Sequence, residues 1–429
     1  MKAKILAKPE QVFFDFNQDW DIPVPILNAY LPAMAHVLLR QHSGSSSRLV
    51  VKPGDLVREG MTVGVPVSED SAFIHSPIPG EVRSIRSVRL PDGGSCESIE
   101  VFLRGSFERI GKRSERYVWE SMRRQDIIQV LREKGVVETN GQGRSMAQAL
   151  QQRTCSEIAV LGADDEPYVQ TEVAVLRNRT LDLLEGIKIL ARILEARTAS
   201  IYSDAKEMRI HSQQEALILA ESKGKLNFEL KKHPNQYLHG PLTRRASGQE
   251  GGENGVFSVV PSTLVAIFEA VVQAKPFVER YVTVAGGAIK RPTVLKARIG
   301  TPIGDLIEEC GGFQGVPERL VLGGPFTGLP AKDLDVPITK ATGAVLALLP
   351  AETRRGQVRP CIRCGRCAES CPVDIDPEMI WRHIEIGRLS EARELGLDRC
   401  LSCGLCSYVC PSRIPLSQGF SALGKGQSQ

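Results

Sequence analysis

The chain has 429 residues, 42% of them hydrophobic and 24% charged, with a formal net charge of +4 at neutral pH. That is an ordinary make-up for a soluble globular protein, long enough for about three domains. So small a net charge over this length gives no argument for nucleic-acid binding. The segment Met1 to Lys8 has no apolar core of the kind a signal peptide needs. The most apolar stretch, Val256 to Ala274, is broken by Ser258, Pro261, Ser262, Thr263 and Glu269. It falls short of the roughly 18 uninterrupted apolar residues of a membrane span, so any membrane role is expected to work through partners.

Residues 1–105 read as all-β. Val50 to Met61 alternates apolar and polar side chains around Pro53 and Gly54, and Ala72 to Val82 repeats a β-turn-β outline. The rhythm resembles the barrel-sandwich fold of lipoyl and biotinyl carriers. Thr62 to Ser76 contains no lysine, so no swinging arm is expected and the domain is left as a scaffold or docking unit. His75, beside a turn proline, is expected at the surface.

Residues 120–277 carry an α/β pattern. Ile127 to Lys134 predicts an amphipathic helix, Glu157 to Leu161 a buried strand, and Thr171 to Arg197 one long helix with leucines and isoleucines three to four apart. Ala199–Tyr202, Leu226–Leu230 and Val256–Val260 predict further strands, with helices over Ser212–Ser222 and Thr263–Val272. Alternating strands and helices imply a parallel sheet with a ligand crevice at its strand ends. His233, Tyr237 and His239 lack metal-ligand spacing and are expected in a loop. Gly248 to Gly255 is expected to form a turn before a strand.

Residues 278–350 return to strands at Arg280–Ala285, Thr293–Arg298 and Arg319–Val321, with a short helix over Ile303–Cys310. One helix across a small mixed sheet suggests a β-grasp unit of the SLBB kind. From 355 to 429 the pattern is helical, with Asp376 ahead of Pro377 as one predicted N-cap and Ser390 as another.

This last domain carries the strongest motif. Cys361, Cys364, Cys367 and Cys371, followed by Pro372, repeat as Cys400, Cys403, Cys406 and Cys410, followed by Pro411. C-x2-C-x2-C-x3-C-P is the ligand pattern of a [4Fe–4S] ferredoxin, and its duplication implies two clusters, each taking its fourth thiolate from the other run. The expected sets are Cys361, Cys364, Cys367 with Cys410, and Cys400, Cys403, Cys406 with Cys371. Zinc sites use two pairs of ligands rather than a triplet plus a fourth, and oxygen-sensitive clusters with free thiols suit a reducing cytoplasm rather than disulfides. Cys96, Cys155 and Cys310 are expected to be packing residues. Arg354, Arg355, Arg359, Arg363 and Arg366 crowd the approach to the first run. They either steer an acidic redox partner or offset the cluster charge and face solvent. No Ser/His/Asp arrangement or carboxylate pair stands out, and no catalytic residue is assigned.

The order of these units resembles the RnfC family of the Rnf electron transport complexes, as do Val282–Gly286, Arg298–Pro302, Leu322–Pro325 and Cys406–Leu416. The resemblance spans nearly the whole chain. It implies a multidomain α/β and α+β fold: an N-terminal barrel-sandwich, an α/β domain like the flavin subunit of respiratory complex I with a β-grasp insert, and a helical two-cluster domain. It also implies a peripheral subunit on the cytoplasmic side of the cell membrane. The implied partners are the other Rnf subunits, a ferredoxin-like one among them, and a soluble redox partner.

In that family the α/β domain binds FMN through a loop of the form G-x-G-G-A-G-F-P-T, whose glycines let backbone N–H groups approach the flavin. Here Glu138 to Met146 keeps only Gly141 and Gly143, with Arg144 and Ser145 in place of Phe-Pro. The N-G-A-E-C-E-P-Y segment persists as Leu161 to Tyr168, so Asp164, Glu166 and Tyr168 are flavin-site remnants. Tyr237 to Thr243 and Val260 to Thr263 replace two further segments. The expectation is therefore an electron-transfer subunit of a redox-driven, ion-translocating oxidoreductase whose FMN and NADH site is lost or altered, with FMN left open and Arg144 a candidate phosphate contact. The alternatives are an intact NADH:FMN module of the same complex or a soluble reductase of the cobalamin-reducing kind.

Overall fold

The structure, a computed structural model, describes residues 3–5, 12–14, 25–91, 93–105, 117–139, 143–164, 166–203, 226–232, 255–353 and 356–420. The chain opens with a short antiparallel pair, β1 (Ala3–Ile5) and β2 (Val12–Phe14). Strand β3 (Leu27–Asn28) is donated to a later sheet.

The barrel-sandwich follows. Strands β4 (Met34–Leu38), β5 (Arg48–Leu49), β6 (Leu56–Val57), β7 (Thr62–Val65), β8 (Ile74–His75), β9 (Gly80–Arg89) and β10 (Ser95–Leu103) form two sheets, β4-β10-β9-β6 and β5-β7-β8. Inward-pointing Val37, Val63, Ile74, Ile78, Val82 and Ile99 fill the space between them, the two-residue alternation expected of strands with one buried face.

In the α/β domain, β11 (Glu157–Leu161), β12 (Thr198–Ser203), β13 (Asn227–Lys232) and β14 (Val256–Val259) run parallel in the order β13-β12-β11-β14. The helix Pro261–Val272 and its neighbours cover the sheet with Leu183, Ile187, Leu190, Leu264 and Ile267. The single helix expected over Thr171–Arg197 is instead two, Thr171–Asn178 and Thr180–Leu194, broken at Arg179 with φ −129° and ψ 33°. The Arg179 guanidinium donates to Glu269 at 3.1 Å and to the Tyr281 hydroxyl. Tertiary pairing thus decides the break, against an apolar spacing that runs straight through it. The helix expected at Ser212–Ser222 lies outside the described residues.

The β-grasp unit is a six-stranded mixed sheet. Strands β15 (Glu279–Ala285), β16 (Thr293–Arg298), β17 (Arg319–Leu322), β18 (Leu329–Ala331) and β19 (Ala344–Leu348) take the order β18-β17-β19-β15-β16, with β3 closing the edge. The helix Ile303–Glu309 lies over it on Val282, Val284 and Leu295.

Lys340 locks three units together. It is fully buried, and its Nζ donates to Phe73 O of the barrel and Gly135 O of the α/β domain, both at 2.7 Å. Beside it His75 is buried rather than at the surface, its ring stacked on Phe73 with 6.4 Å between centroids. Burial and the Lys340 charge push His75 down to about 3, and His42, also buried, to about 4.

The C-terminal unit is helical, as predicted. Asp376 caps the helix Pro377–Glu385, its carboxylate accepting from Glu378 N and Met379 N. Ser390 is not a cap: it lies inside the helix Leu389–Glu394, which begins after Arg388. Among the described residues no helix is long and apolar enough to cross a membrane.

Candidate iron–sulfur centre and the neighbouring crevice

The two cysteine runs fold as copies of one loop. Arg363 N donates to Cys361 Sγ at 3.3 Å, and Ser402 N donates to Cys400 Sγ at 3.4 Å. Arg363 and Ser402 both take positive φ, 52° and 56°. Gly365 and Gly404 follow with φ 74° and 76°, each starting a short helix, Arg366–Glu369 or Leu405–Val409. Asp374 and Arg413, after the two prolines, are matched in the same way at 51° and 60°. A C-x2-C-x2-C spacing needs such turns because successive thiols must converge on one point rather than spread along a helix.

The runs also cross. One apolar cavity is lined by Cys400, Cys403 and Cys406 of the second run together with Cys371 of the first, closed by Val373, Leu405 and other apolar side chains. Cys367 and Cys410 pack in the same core. None of the eight cysteines forms a disulfide among the described residues, so the donor set suits iron–sulfur clusters. Among the described residues no three His, Cys, Asp or Glu side chains converge on a single ion; a cubane spreads its thiolates over several irons and is a wider arrangement. Burial pushes the Cys403 thiol up to about 12 and Cys406 higher, and their sulfur neighbours push the same way. Thiolates here need iron beside them to carry their charge.

Their surroundings differ. Cys361 and Cys364 are exposed, whereas Cys403, Cys406 and Cys410 are buried. Arg359, Arg363 and Arg366 are exposed around the first run, and Arg354 and Arg355 lie outside the described residues.

In the α/β domain, every described residue expected to face a flavin is committed elsewhere. Asp164 accepts from Glu172 N and Val173 N at 3.0 to 3.1 Å, capping the helix Thr171–Asn178. Glu166 accepts from Phe326 N at 2.7 Å and from Thr327 N at 3.3 Å. Tyr168 lies against Glu352, and burial with that charge pushes its phenol up. Arg144 is engaged by Glu138 through a bidentate pair at 2.9 and 3.0 Å, which offsets its charge. Gly143 does turn through positive φ, but a Cβ there would meet His42 Cβ at 3.0 Å and Ala341 Cβ at 3.3 Å. Its lack of a side chain serves packing against the barrel. Gly141, and Tyr237 to Thr243, lie outside the described residues.

Sequence reasoning missed a buried polar network beside these residues. Thr139 Oγ1 bonds Ser262 Oγ and Thr263 Oγ1, and Glu172 accepts from Ser262 N at 2.8 Å. Arg280, fully buried, donates to Thr139 O at 2.9 Å, and its charge opposes the burial that pushes Glu172 up. An arginine opening an otherwise apolar strand was the available signal. The described remnants of the flavin segments are thus engaged within the protein.

Comparisons with known proteins agree with the unit order. Residues 21–104 match the RnfC Barrel sandwich hybrid domain, 131–246 the Nuo51 FMN-binding domain, 281–330 the SLBB domain and 360–414 the 4Fe-4S dicluster domain. The RnfC protein of the ion-translocating oxidoreductase complex of Rhodobacter capsulatus is 34% identical over 92% of this chain and 78% of its own. Its counterpart in the proton-translocating ferredoxin:NAD(+) oxidoreductase complex of Clostridium ljungdahlii is 30% identical over 85% of this chain and 82% of its own. The Pseudomonas aeruginosa counterpart is 30% identical over 87% of this chain but half of its own length. A chain of an NAD+-reducing [NiFe]-hydrogenase overlaps at a TM-score of 0.47 and 16% identity, over 72% of this chain and 62% of that one; so loose a likeness carries no functional inference. The chain belongs to the RnfC family of the Rnf ion-translocating oxidoreductase complexes.

Proposed function

We propose that this chain is the iron–sulfur electron-transfer subunit of an Rnf-type ion-translocating oxidoreductase, relaying single electrons through two [4Fe–4S] clusters. The observation that carries the reading is the cavity in which Cys371 of the first run joins Cys400, Cys403 and Cys406 of the second. Crossed ligands of this kind belong to two clusters packed side by side. The remaining thiols, Cys361, Cys364, Cys367 and Cys410, form the other set.

When bound, the clusters supply one-electron redox chemistry, and the chain makes or breaks no bond of its own. Its residues exclude water from the second set, donate backbone N–H groups to Cys361 and Cys400, and present a basic rim around the first set. That rim of Arg359, Arg363 and Arg366 suits an acidic redox protein, soluble or a ferredoxin-like member of the complex. The chain sits peripherally on the cytoplasmic face, attached through the other subunits. Because Asp164, Glu166 and Arg144 are engaged by their own protein neighbours, no hydride step through FMN is assigned to it.

Anaerobic purification with iron, sulfide, flavin and EPR measurements on one sample tests this. Two cluster signals, no flavin released on denaturation and no NADH-dependent ferricyanide reduction are expected. Yellow protein that oxidises NADH would restore the flavin module and sink the reading of a lost flavin site.

A further inference from the structure

The loop between β17 and β18 is wedged between two domains. Gly328 N donates to Gly324 O at 2.8 Å to close its neck, leaving Phe326 and Thr327 at the tip. On one side Glu166 of the α/β domain grips that tip, its carboxylate accepting from Phe326 N, Thr327 N and the Thr327 hydroxyl. The fit is close: a Cβ on Gly324 would lie 2.1 Å from Glu166 Oε2. On the other side Phe326 meets the second cysteine run. Its ring lies edge-on to Tyr408 at 4.9 Å between centroids, and it packs with Cys403 and Leu405. A Cβ on Gly404 would come within 2.5 Å of Phe326 O, whereas a Cβ on the matching Gly365 would meet nothing nearer than Glu369 Oε1 at 4.0 Å.

We propose that Glu166 is a positioning residue for the second cluster: by fixing the Phe326 loop over Cys403 it sets how much water that cluster sees, and with it the cluster's reduction potential. The inference rests on the reading that the eight cysteines hold two clusters. A reduced cluster carries one more negative charge than an oxidised one, and water stabilises the extra charge, so a close apolar cover lowers the potential. Three hydrogen bonds to one carboxylate hold the cover more firmly than loop packing alone, since bonds to a charged acceptor are about twice as strong as neutral ones. The same grip ties the environment of the second cluster to the pose of the α/β domain.

The test uses the full chain, purified anaerobically with both clusters and followed by EPR during a potentiometric titration. Glu166→Ala and Phe326→Ala should each raise the midpoint potential of one cluster, the one whose signal survives Cys361→Ala, and leave the other where it was. Glu166→Gln, which keeps an oxygen to accept from Phe326 N, should return most of that shift. A parent protein without two cluster signals sinks the cluster reading itself. A parent with two clusters whose potentials neither variant moves overturns the inference alone. Equal shifts in both clusters, or loss of iron from both in either variant, also overturn it, because Glu166 would then be holding the domain and not one cluster.

Discussion

The two cysteine runs share a backbone and differ in what lies against it. Gly365 and Gly404 have nearly the same φ, yet one opens to solvent and the other is capped by Phe326. Arg363 and Ser402 make the same bond to a cysteine sulfur, but the first stands among exposed arginines and the second beside buried thiols. Ligand geometry follows from local spacing and so survives duplication unchanged. The environment that tunes a cluster comes from whichever domain is packed on each copy, and among the described residues Phe326 covers the second copy while Gly365 of the first stays exposed.

The hardest test of that comparison is which thiols act together. If the sets are crossed, Cys371→Ala and Cys406→Ala should abolish the same EPR signal, and Cys410→Ala and Cys361→Ala should abolish the other, each with loss of about half the iron on the two-cluster count. Pairing of the losses within a run, Cys371 with Cys361, would show that each run holds its own cluster.

A second test asks what holds the cover in place. The β-grasp unit that carries Phe326 is tied to its neighbours by Lys340, whose burial lowers its ammonium to about 7. The unfolded chain therefore binds more protons than the folded one between about pH 7 and 10.5. The Lys340 penalty is full below that window, and stability rises with pH across it. His42 and His75 act at lower pH. Their stability contribution is whole above about 6.5 and is lost as pH falls toward 4 and 3. Lys340→Met should flatten the alkaline rise in thermal stability. It should also cost about 2–4 kcal/mol near neutral pH, because Phe73 O and Gly135 O lose their donor. An unchanged pH profile in that variant would remove Lys340 as the lock.

The twin glycines give a milder comparison. Gly365→Ala and Gly404→Ala both meet the strain of positive φ, about 1 kcal/mol. Only at Gly404 would the new methyl press on Phe326 O as well. Gly404→Ala should thus lose iron faster on dilution into chelator and perturb one EPR signal, while Gly365→Ala stays close to the parent. Equal losses in the pair would mean that the cover does not bear on the second run.

Much of this was legible in the sequence wherever short-range chemistry decides the outcome. The strand Glu157–Leu161 has the bounds that its apolar run predicts, and Asp376 with Pro377 forms the expected cap. The cysteine spacing picked out thiols that the structure packs into one helical unit. What could not be read depends on partners distant in sequence. His75 stands next to a turn proline and is buried because Lys340 and Phe73 close over it. Arg179 splits a helix through Glu269 and Tyr281. Glu166 belongs to a motif associated with flavin, and its carboxylate turns instead to a loop of another domain. Substitutions in the glycine loop hint that the crevice has changed, but nothing local foretells that Glu172, Ser262 and Arg280 gather around Thr139 in one buried network.

The smallest effect concerns the uncovered run. If Arg363 and Arg366 steer an acidic electron-transfer protein, their work is in long-range attraction and not in holding the cluster. Arg363→Glu with Arg366→Glu should slow electron exchange with an acidic ferredoxin by about 10-fold at low ionic strength, followed by stopped-flow absorbance. The gap should close as salt is raised, since exposed charges are screened beyond roughly 10 Å at 0.1 M. Iron content and the second cluster's midpoint potential should stay where they are, because neither side chain supplies a thiolate or lies on the second run, while the first cluster's potential should fall with the added negative charge. A rate deficit that persists at high salt would point to a direct contact in the bound complex, and an unchanged rate at every salt concentration would move the exchange site away from the first run.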